Sequence, residues 1–206
     1  MGKFIVFEGI DGSGKSTQIA MLAKRLKEKG EKVYVTAEPT FSTSGGIIRD
    51  ALSGAVPRST CELAALFVWD RINHNINKAN GINKMLKDGY TVIADRYYYS
   101  SLAYQGEATD YEWVKALNCS CPEIRKPDLC VFIDVSPEVA IKRITSDRAT
   151  TEIFEEVGKL TSIRDTFMRI FEDLKDDNVA IIDGDGTPDI VSDKGLEKIE
   201  DLMELY

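Results

Sequence analysis

Five short apolar runs recur along the chain, at residues 3–8, 32–37, 90–95, 129–134 and 179–183. They are rich in Val, Ile, Phe and Tyr and too short for buried helices, so they read as strands. Between them the apolar spacing changes to that of helices. Ile19, Leu22, Ala23 and Leu26 form one such stripe, closed by Gly30. A short helix is expected over 45–52, closed by Gly54. Ser59-Thr60-Cys61-Glu62 is a capping box. It opens a helix with Leu63, Leu66, Phe67, Asp70, Arg71 and His74 on one side. A further helix is expected from about 76 to 88, and another over 110–118 with Trp113 and Leu117 on one side. Ser136-Pro137-Glu138 starts a helix toward 144. A long helix carries Leu160, Ile163, Phe167, Ile170, Phe171 and Leu174, and a terminal one after Thr187-Pro188 turns Ile199, Leu202 and Met203 inward.

Apolar strands alternating with helices predict an α/β fold in three layers: a five-stranded parallel sheet, right-handed crossovers, and helices on both faces. No repeat or linker interrupts residues 1–206, so a single domain is expected. Ligands of such sheets bind beyond the carboxyl ends of the strands, where strand order reverses. Glu8-Gly9, Glu38, Asp95, Asp134 and Asp183 all fall there.

The first strand runs into Gly9-Ile10-Asp11-Gly12-Ser13-Gly14-Lys15-Ser16-Thr17, a G-x-x-x-x-G-K-S sequence followed by a helix. This is the P-loop pattern in its required strand–loop–helix setting. The glycines let backbone N–H groups turn inward around an anion, and the helix aims its positive end at the same point. Lys15 is expected on the β- and γ-phosphates of a nucleoside triphosphate, and Ser16 on Mg²⁺. Asp95 is the second Mg²⁺ candidate, with Arg96 beside it to bridge phosphates; Asp134 competes for the metal. Phe67 and Arg71, one helical turn apart, suit a stacked base and a donor fork to its oxygens. His74 is expected to be packed or hydrogen-bonded rather than catalytic. Arg143, Arg148 and the polar stretch at about 144–152 read as a lid. The N-K-x-D guanine-reading sequence does not occur, which favours a kinase over a GTPase.

A net charge of −8 argues against a nucleic-acid footprint, which needs a basic stripe. No apolar run is long enough for a membrane span. The sequence starts directly into a strand, so a cytoplasmic protein is expected. The four cysteines, at 61, 119, 121 and 130, fit neither a redox nor a zinc spacing and read as free thiols, with Cys130 in the core.

The stretch Asp95-Arg96-Tyr97-Tyr98-Tyr99-Ser100-Ser101-Leu102-Ala103-Tyr104-Gln105-Gly106 resembles the D-R-Y-x-x-S-x-x-A-Y-Q-G sequence of thymidylate kinases. The P-loop F-E-G-I-D-G-S-G-K-S-T-Q, Ala37-Glu38-Pro39, the segment from Leu66-Phe67 to Arg71, and Pro127-Asp128 through Pro137 are similar too. The resemblance implies transfer of the ATP γ-phosphoryl to thymidine monophosphate (dTMP), with Mg²⁺, in a homodimer. It places Arg49 and Arg96 on the acceptor phosphate and Phe67 on thymine. Arg71, Ser101 and Gln105 would bond the edge of the base, and Tyr104 would lie under the deoxyribose. Asp11 would reach the 3′-hydroxyl region, and Glu38 would belong to the acceptor site. Arg143 would lie along adenine, with residues 183–187 shaping its pocket. Ala37 and Thr40 stand where many members carry arginine and glycine, and Gly12 where some carry arginine. The compensating arginine then falls to the lid, as Arg148. A kinase for another nucleotide, such as deoxyuridine monophosphate, or for a deoxynucleoside, and an ATP-binding regulator without turnover, are the alternatives.

Overall fold

The computed structural model describes residues 2–144 and 150–204. Five strands form one parallel sheet: β1 (Phe4–Glu8), β2 (Val33–Ala37), β3 (Thr91–Asp95), β4 (Leu129–Asp134) and β5 (Val179–Asp183), in the order β2-β3-β1-β4-β5. From β1 the chain goes to the edge strand β2, returns inward to β3, and then crosses to β4 and β5 on the other side, so the reversal of strand order lies at the end of β1.

The strands alternate their side chains between two cores, as a pleat requires. Ile5, Phe7, Ile93, Val131 and Ile133 enter one core. It is closed by α1 (Lys15–Glu28), α7 (Pro137–Ile144) and α9 (Pro188–Glu204), through residues such as Leu22, Leu26, Ile141 and Ile199. Phe4, Val6, Val92, Ala94, Cys130 and Phe132 enter the other. There they meet Leu86 of α4 (Ile82–Lys87), Tyr97, and Phe167 and Ile170 of α8 (Thr150–Asp173). The expected three-layer α/β architecture is therefore present. The lid expected at 144–152, with Arg148, falls largely outside the described residues.

Two local expectations are corrected. The helix α3 (Thr60–Ile76) is followed by a turn, not by a helix starting at 76. Asn77 Oδ1 accepts from Ala79 N at 2.8 Å, and Gly81 N donates to Asn77 O at 2.9 Å. An asparagine side chain that bonds its own downstream backbone competes with helix and delays the next one to Ile82. In α6 (Tyr111–Cys119) the buried positions are Val114 and Asn118, whereas Trp113 is exposed. Asn118 is drawn inside by a polar partner, which apolar spacing does not reveal. The remaining helices are α2 (Thr43–Leu52) and α5 (Tyr98–Ser101), the latter passing into a π-helical segment, Leu102–Gly106.

The capping box of α3 is formed: Glu62 N donates to Ser59 Oγ at 3.2 Å, and Ser59 N donates to Glu62 Oε2 at 2.8 Å. Replacing Ser59 by Ala removes one of the two. The expected cost is about 1 kcal/mol, read as a fall of roughly 2–4 °C in the thermal midpoint of a chain this size. A midpoint unchanged by Ser59→Ala would show that tertiary packing alone fixes the start of α3.

Candidate active site

The loop after β1 is shaped by its glycines. Gly9, Gly12 and Gly14 have φ of 150°, 80° and 93°, values that side chains disfavour. A Cβ at Gly12 would also sit 2.4 Å from the Ala140 carbonyl oxygen. Lys15, at the start of α1, is buried, and its Nζ donates to Gly9 O at 2.9 Å and Ile10 O at 3.0 Å. Burial and, to a lesser degree, the nearby Arg96 charge lower its pKa to about 8. Ser16 Oγ donates to Asp95 Oδ2 at 3.0 Å, so the P-loop serine and the acid ending β3 meet, as their place in the sequence suggested. Asp134 does not compete. Its two oxygens accept from the Arg164 fork, at 2.5 and 2.8 Å, which leaves it committed elsewhere.

Arg96 follows Asp95 with φ 68°, a left-handed conformation rare outside glycine and costly to hold. Glu8 holds it from below. That carboxylate is fully buried and accepts from Tyr97 N at 2.8 Å, Ser100 N at 3.2 Å and Ser100 Oγ at 2.6 Å. Desolvation raises the Glu8 pKa, partly offset by Arg96 and the hydrogen bonds. The Arg96 guanidinium bonds Ser100 Oγ at 3.0 Å, pairs with Asp11 of the P-loop, and lies 5.6 Å from the centre of the Tyr104 ring. Burial opposes its charge, but Tyr104, Glu8, Asp11 and Asp95 together keep its pKa raised.

A cavity opens beside Arg96, lined by Phe67, Arg71, Ser101, Tyr104 and Gln105 together with Glu38 and Asp11. Arg71 is a buried cation with every arm engaged. Its Nε donates to Glu38 Oε2 at 2.8 Å, Nη1 to Asn118 Oδ1, and Nη2 to Ser101 Oγ at 3.1 Å. The other Glu38 oxygen is 2.9 Å from His74 Nδ1, whose Nε2 is 2.8 Å from Thr36 Oγ1. His74 is thus the hydrogen-bonded residue expected. The π-helical segment sets Tyr104 and Gln105 on the wall of this cavity, and such segments recur at functional sites.

The loop from Glu38 to Phe41 is held by Asp70, which is buried and accepts from Thr40 N at 2.7 Å, Thr40 Oγ1 at 2.6 Å and Ser44 Oγ at 2.5 Å. The Thr40 hydroxyl is thus engaged, at a position where the resemblance would place glycine. The loop presents the Thr40 carbonyl, which accepts from Arg49 Nη1 at 2.6 Å. Arg49, Asp11, Lys15, Ser16, Thr17, Asp95 and Arg96 line another cavity that joins the P-loop to the one beside Arg96. On the far side of the P-loop, Arg143 Nη1 donates to Ser13 O at 3.2 Å and Nη2 to Gly184 O at 2.9 Å, beside a cavity walled by Gly184, Gly186 and Pro188.

The structure therefore lines the P-loop and acceptor-side residues read from the sequence along joined cavities, with Arg143 across the P-loop and Asp134 turned to Arg164, while Arg148 lies outside the described residues. The reading missed Glu8, Asp70, Asn75 and Asn118. Asn75 is buried and donates to Tyr97 Oη at 2.8 Å. Glu8 and Asp70 carried a signal, an acid inside or beside an apolar stripe. The two asparagines carried none.

The family model for thymidylate kinase matches residues 7–194. The chain is 38% identical to the thymidylate kinase of Caldicellulosiruptor saccharolyticus over 210 residues, 98% of either chain. It is 35% identical to a probable thymidylate kinase of Methanosarcina acetivorans over 213 residues, again 98% of each. A probable thymidylate kinase of Pyrobaculum aerophilum is 40% identical over 167 residues, 80% of this chain and 81% of that one. With a loop built to hold phosphates opening into a cavity that pairs an aromatic face with a buried arginine fork, the chain belongs to the thymidylate kinase family of phosphoryl-transferring enzymes.

Proposed function

We propose that this cleft carries out the family reaction, transfer of the γ-phosphoryl of ATP to the 5′-phosphate of dTMP to give dTDP and ADP, with the roles that follow. One observation carries the assignment: Asp11 and Arg96 line both the phosphate cavity of the P-loop and the nucleoside-sized cavity of Phe67 and Arg71. Donor and acceptor phosphates meet at Arg96. The P-loop backbone from Gly9 to Thr17 cradles the donor, and Lys15 turns from its own loop carbonyls to the β- and γ-phosphates. Arg143 and the 183–187 segment flank the donor base. Arg49 and Arg96 hold the acceptor phosphate, Phe67 stacks on thymine, and Arg71, Ser101 and Gln105 present donors to its edge. Tyr104 lies under the sugar, and Asp11 reaches its 3′ side.

Ser16 Oγ and Asp95 Oδ2, 3.0 Å apart, are hard oxygen donors at the phosphate end of the cleft. Mg²⁺ takes one or two protein oxygens and completes its shell with phosphates and water, so this pair fits it. Bound there, the ion supplies charge neutralisation across the phosphates. Among the described residues no cluster of three or more acids, histidines or cysteines offers a rival metal site.

No general base is required, because the acceptor oxygen is already anionic. Catalysis then rests on alignment and positive charge. The deoxynucleoside-kinase reading needs a base to take the hydroxyl proton, a part that the Glu38 carboxylate in the acceptor cavity would have to play. With both oxygens bound to Arg71 and His74, Glu38 serves instead to position the fork. Gly12 leaves no room for a P-loop arginine, so Arg148 of the lid is the proposed extra cation. We further propose a homodimer acting in the cytoplasm. Among the described residues no helix is long and apolar enough to cross a membrane.

The direct test is ADP release with Mg²⁺-ATP and a panel of monophosphates: thymidine, deoxyuridine, uridine, deoxycytidine, adenosine and guanosine. Strong preference for dTMP is expected, and Phe67→Ala should raise its KM roughly tenfold or more while leaving KM for ATP within about twofold. Equal use of the purine monophosphates would refute the Phe67–Arg71 reading. Arg96→Ala should lower kcat by about 10²–10³ with ATP binding largely spared; a wild-type rate would remove Arg96 from the mechanism.

Lys15 gives a pH signature. Its folded pKa, about 8, lies below the ordinary 10.5, so between those values the unfolded chain binds more protons. This group therefore makes stability rise with pH over that window. Phosphates favour the ammonium, so ADP affinity should fall as pH rises past 8, by ~10-fold between pH 7 and 9. Calorimetric titration at both values checks this, and a flat profile would contradict it.

A further inference from the structure

Glu38 is buried and divides its two oxygens between two partners. Oε2 takes both Arg71 contacts, from Nε at 2.8 Å and from Nη2 at 2.7 Å. Oε1 is 2.9 Å from His74 Nδ1. Arg71 and His74 lie one turn apart on α3 and reach the same carboxylate, which stands just past the end of β2. A carboxylate only accepts, so His74 Nδ1 is the donor and carries a hydrogen. Thr36 Oγ1, on β2, lies 2.8 Å from the other ring nitrogen, so the imidazole is held at both.

Arginine and a carboxylate commonly pair through two parallel bonds, one to each oxygen. Here His74 holds one oxygen back, and the guanidinium meets Glu38 through the other alone. The rest of the fork is then in register with Asn118 Oδ1 and Ser101 Oγ. Without the Nδ1–H, Oε1 would be a buried oxygen lacking a donor, which is costly. The remedy open to it is a turn onto Arg71, and that turn pulls the fork away from Ser101.

We propose that His74 is a positioning residue for base recognition: its Nδ1–H fixes the Glu38 carboxylate, and the carboxylate fixes the angle of the Arg71 fork that separates thymine from cytosine. The inference rests on Arg71 facing the edge of the acceptor base. Thymine presents an oxygen at position 4, and cytosine an amino group. Arginine only donates, so a well-set fork bonds the first and repels the second. A loosened fork loses both effects.

The test compares two polar variants by their kcat/KM for dTMP and for deoxycytidine monophosphate. The amide nitrogen of asparagine stands where Nδ1 does, and that of glutamine where Nε2 does. His74→Asn therefore keeps the Glu38 bond, and His74→Gln keeps the Thr36 bond instead. The wild-type enzyme should prefer dTMP by about a hundredfold or more. His74→Asn should hold that ratio within about threefold, and His74→Gln should cut it about tenfold, through KM for dTMP, with kcat and KM for ATP within about twofold. Equal ratios in the two variants overturn the proposal and leave His74 as packing between α3 and β2. Arg71→Lys separates the premise from the inference. It should lose the preference; if it keeps the wild-type ratio, Arg71 does not read the base and both readings fall. Because the chain has a single histidine, its ¹⁵N spectrum gives a check that needs no variant. A protonated Nδ1 is expected, and a bare Nδ1 overturns the proposal.

Discussion

One buried carboxylate holds the two halves of the cleft together. Glu8 ends β1, directly before the P-loop, and accepts three hydrogen bonds from the turn after β3. A charge taken out of water is tolerated only when such donors surround it. Here they come from Tyr97 and Ser100, so the cost of burying Glu8 is offset only if that turn adopts its observed shape. The turn in turn forces Arg96 into a left-handed backbone and aims its guanidinium across to Asp11. The P-loop and Arg96 are thus registered to each other through one buried group.

The cavity lined by Phe67 and Arg71 repeats this logic one layer out. Arg71 is held by Glu38, Asn118 and Ser101, which arrive on different elements, and Glu38 is held in turn by His74. Asp70, on the same helix as Arg71, gathers Thr40, Ser42 and Ser44 and so fixes the loop that Arg49 bonds. Helix α3 therefore carries both Phe67 and Arg71 of that cavity and the anchor of the neighbouring loop. Networks of this kind fix one arrangement when fully satisfied.

The fold was largely legible in the sequence because its signals are local and periodic. Strands of β-branched and aromatic residues, the stripe of Leu22 and Leu26, and the Ser59 capping box each state their own structure. The error at residue 76 arose where an asparagine side chain overrode apolar spacing. The site was legible where a local motif or a strand end states its geometry, as with the P-loop turn at Lys15 and the meeting of Ser16 with Asp95. It was illegible where residues act through others. Asn118 reads as an ordinary helix polar residue until the fold sets it against Arg71, a residue 47 positions away. Asp95 and Asp134 end apolar strands alike, and the fold tells them apart by their partners, Ser16 for one and Arg164 for the other.

The π-helical segment Leu102–Gly106 bears on how this chain can change. A π turn holds one residue more than an α turn, and each residue of a regular helix rotates the face by roughly 100°. Deleting one position there would restore an α-helix and swing one flank of the segment around its axis. Tyr104 and Gln105 would leave the cavity wall, or the chain beyond them would lose its seat against α8. Substitution within the segment is a local event, but a change of its length is not. The wall can therefore be retuned residue by residue, while insertions and deletions are closed to it.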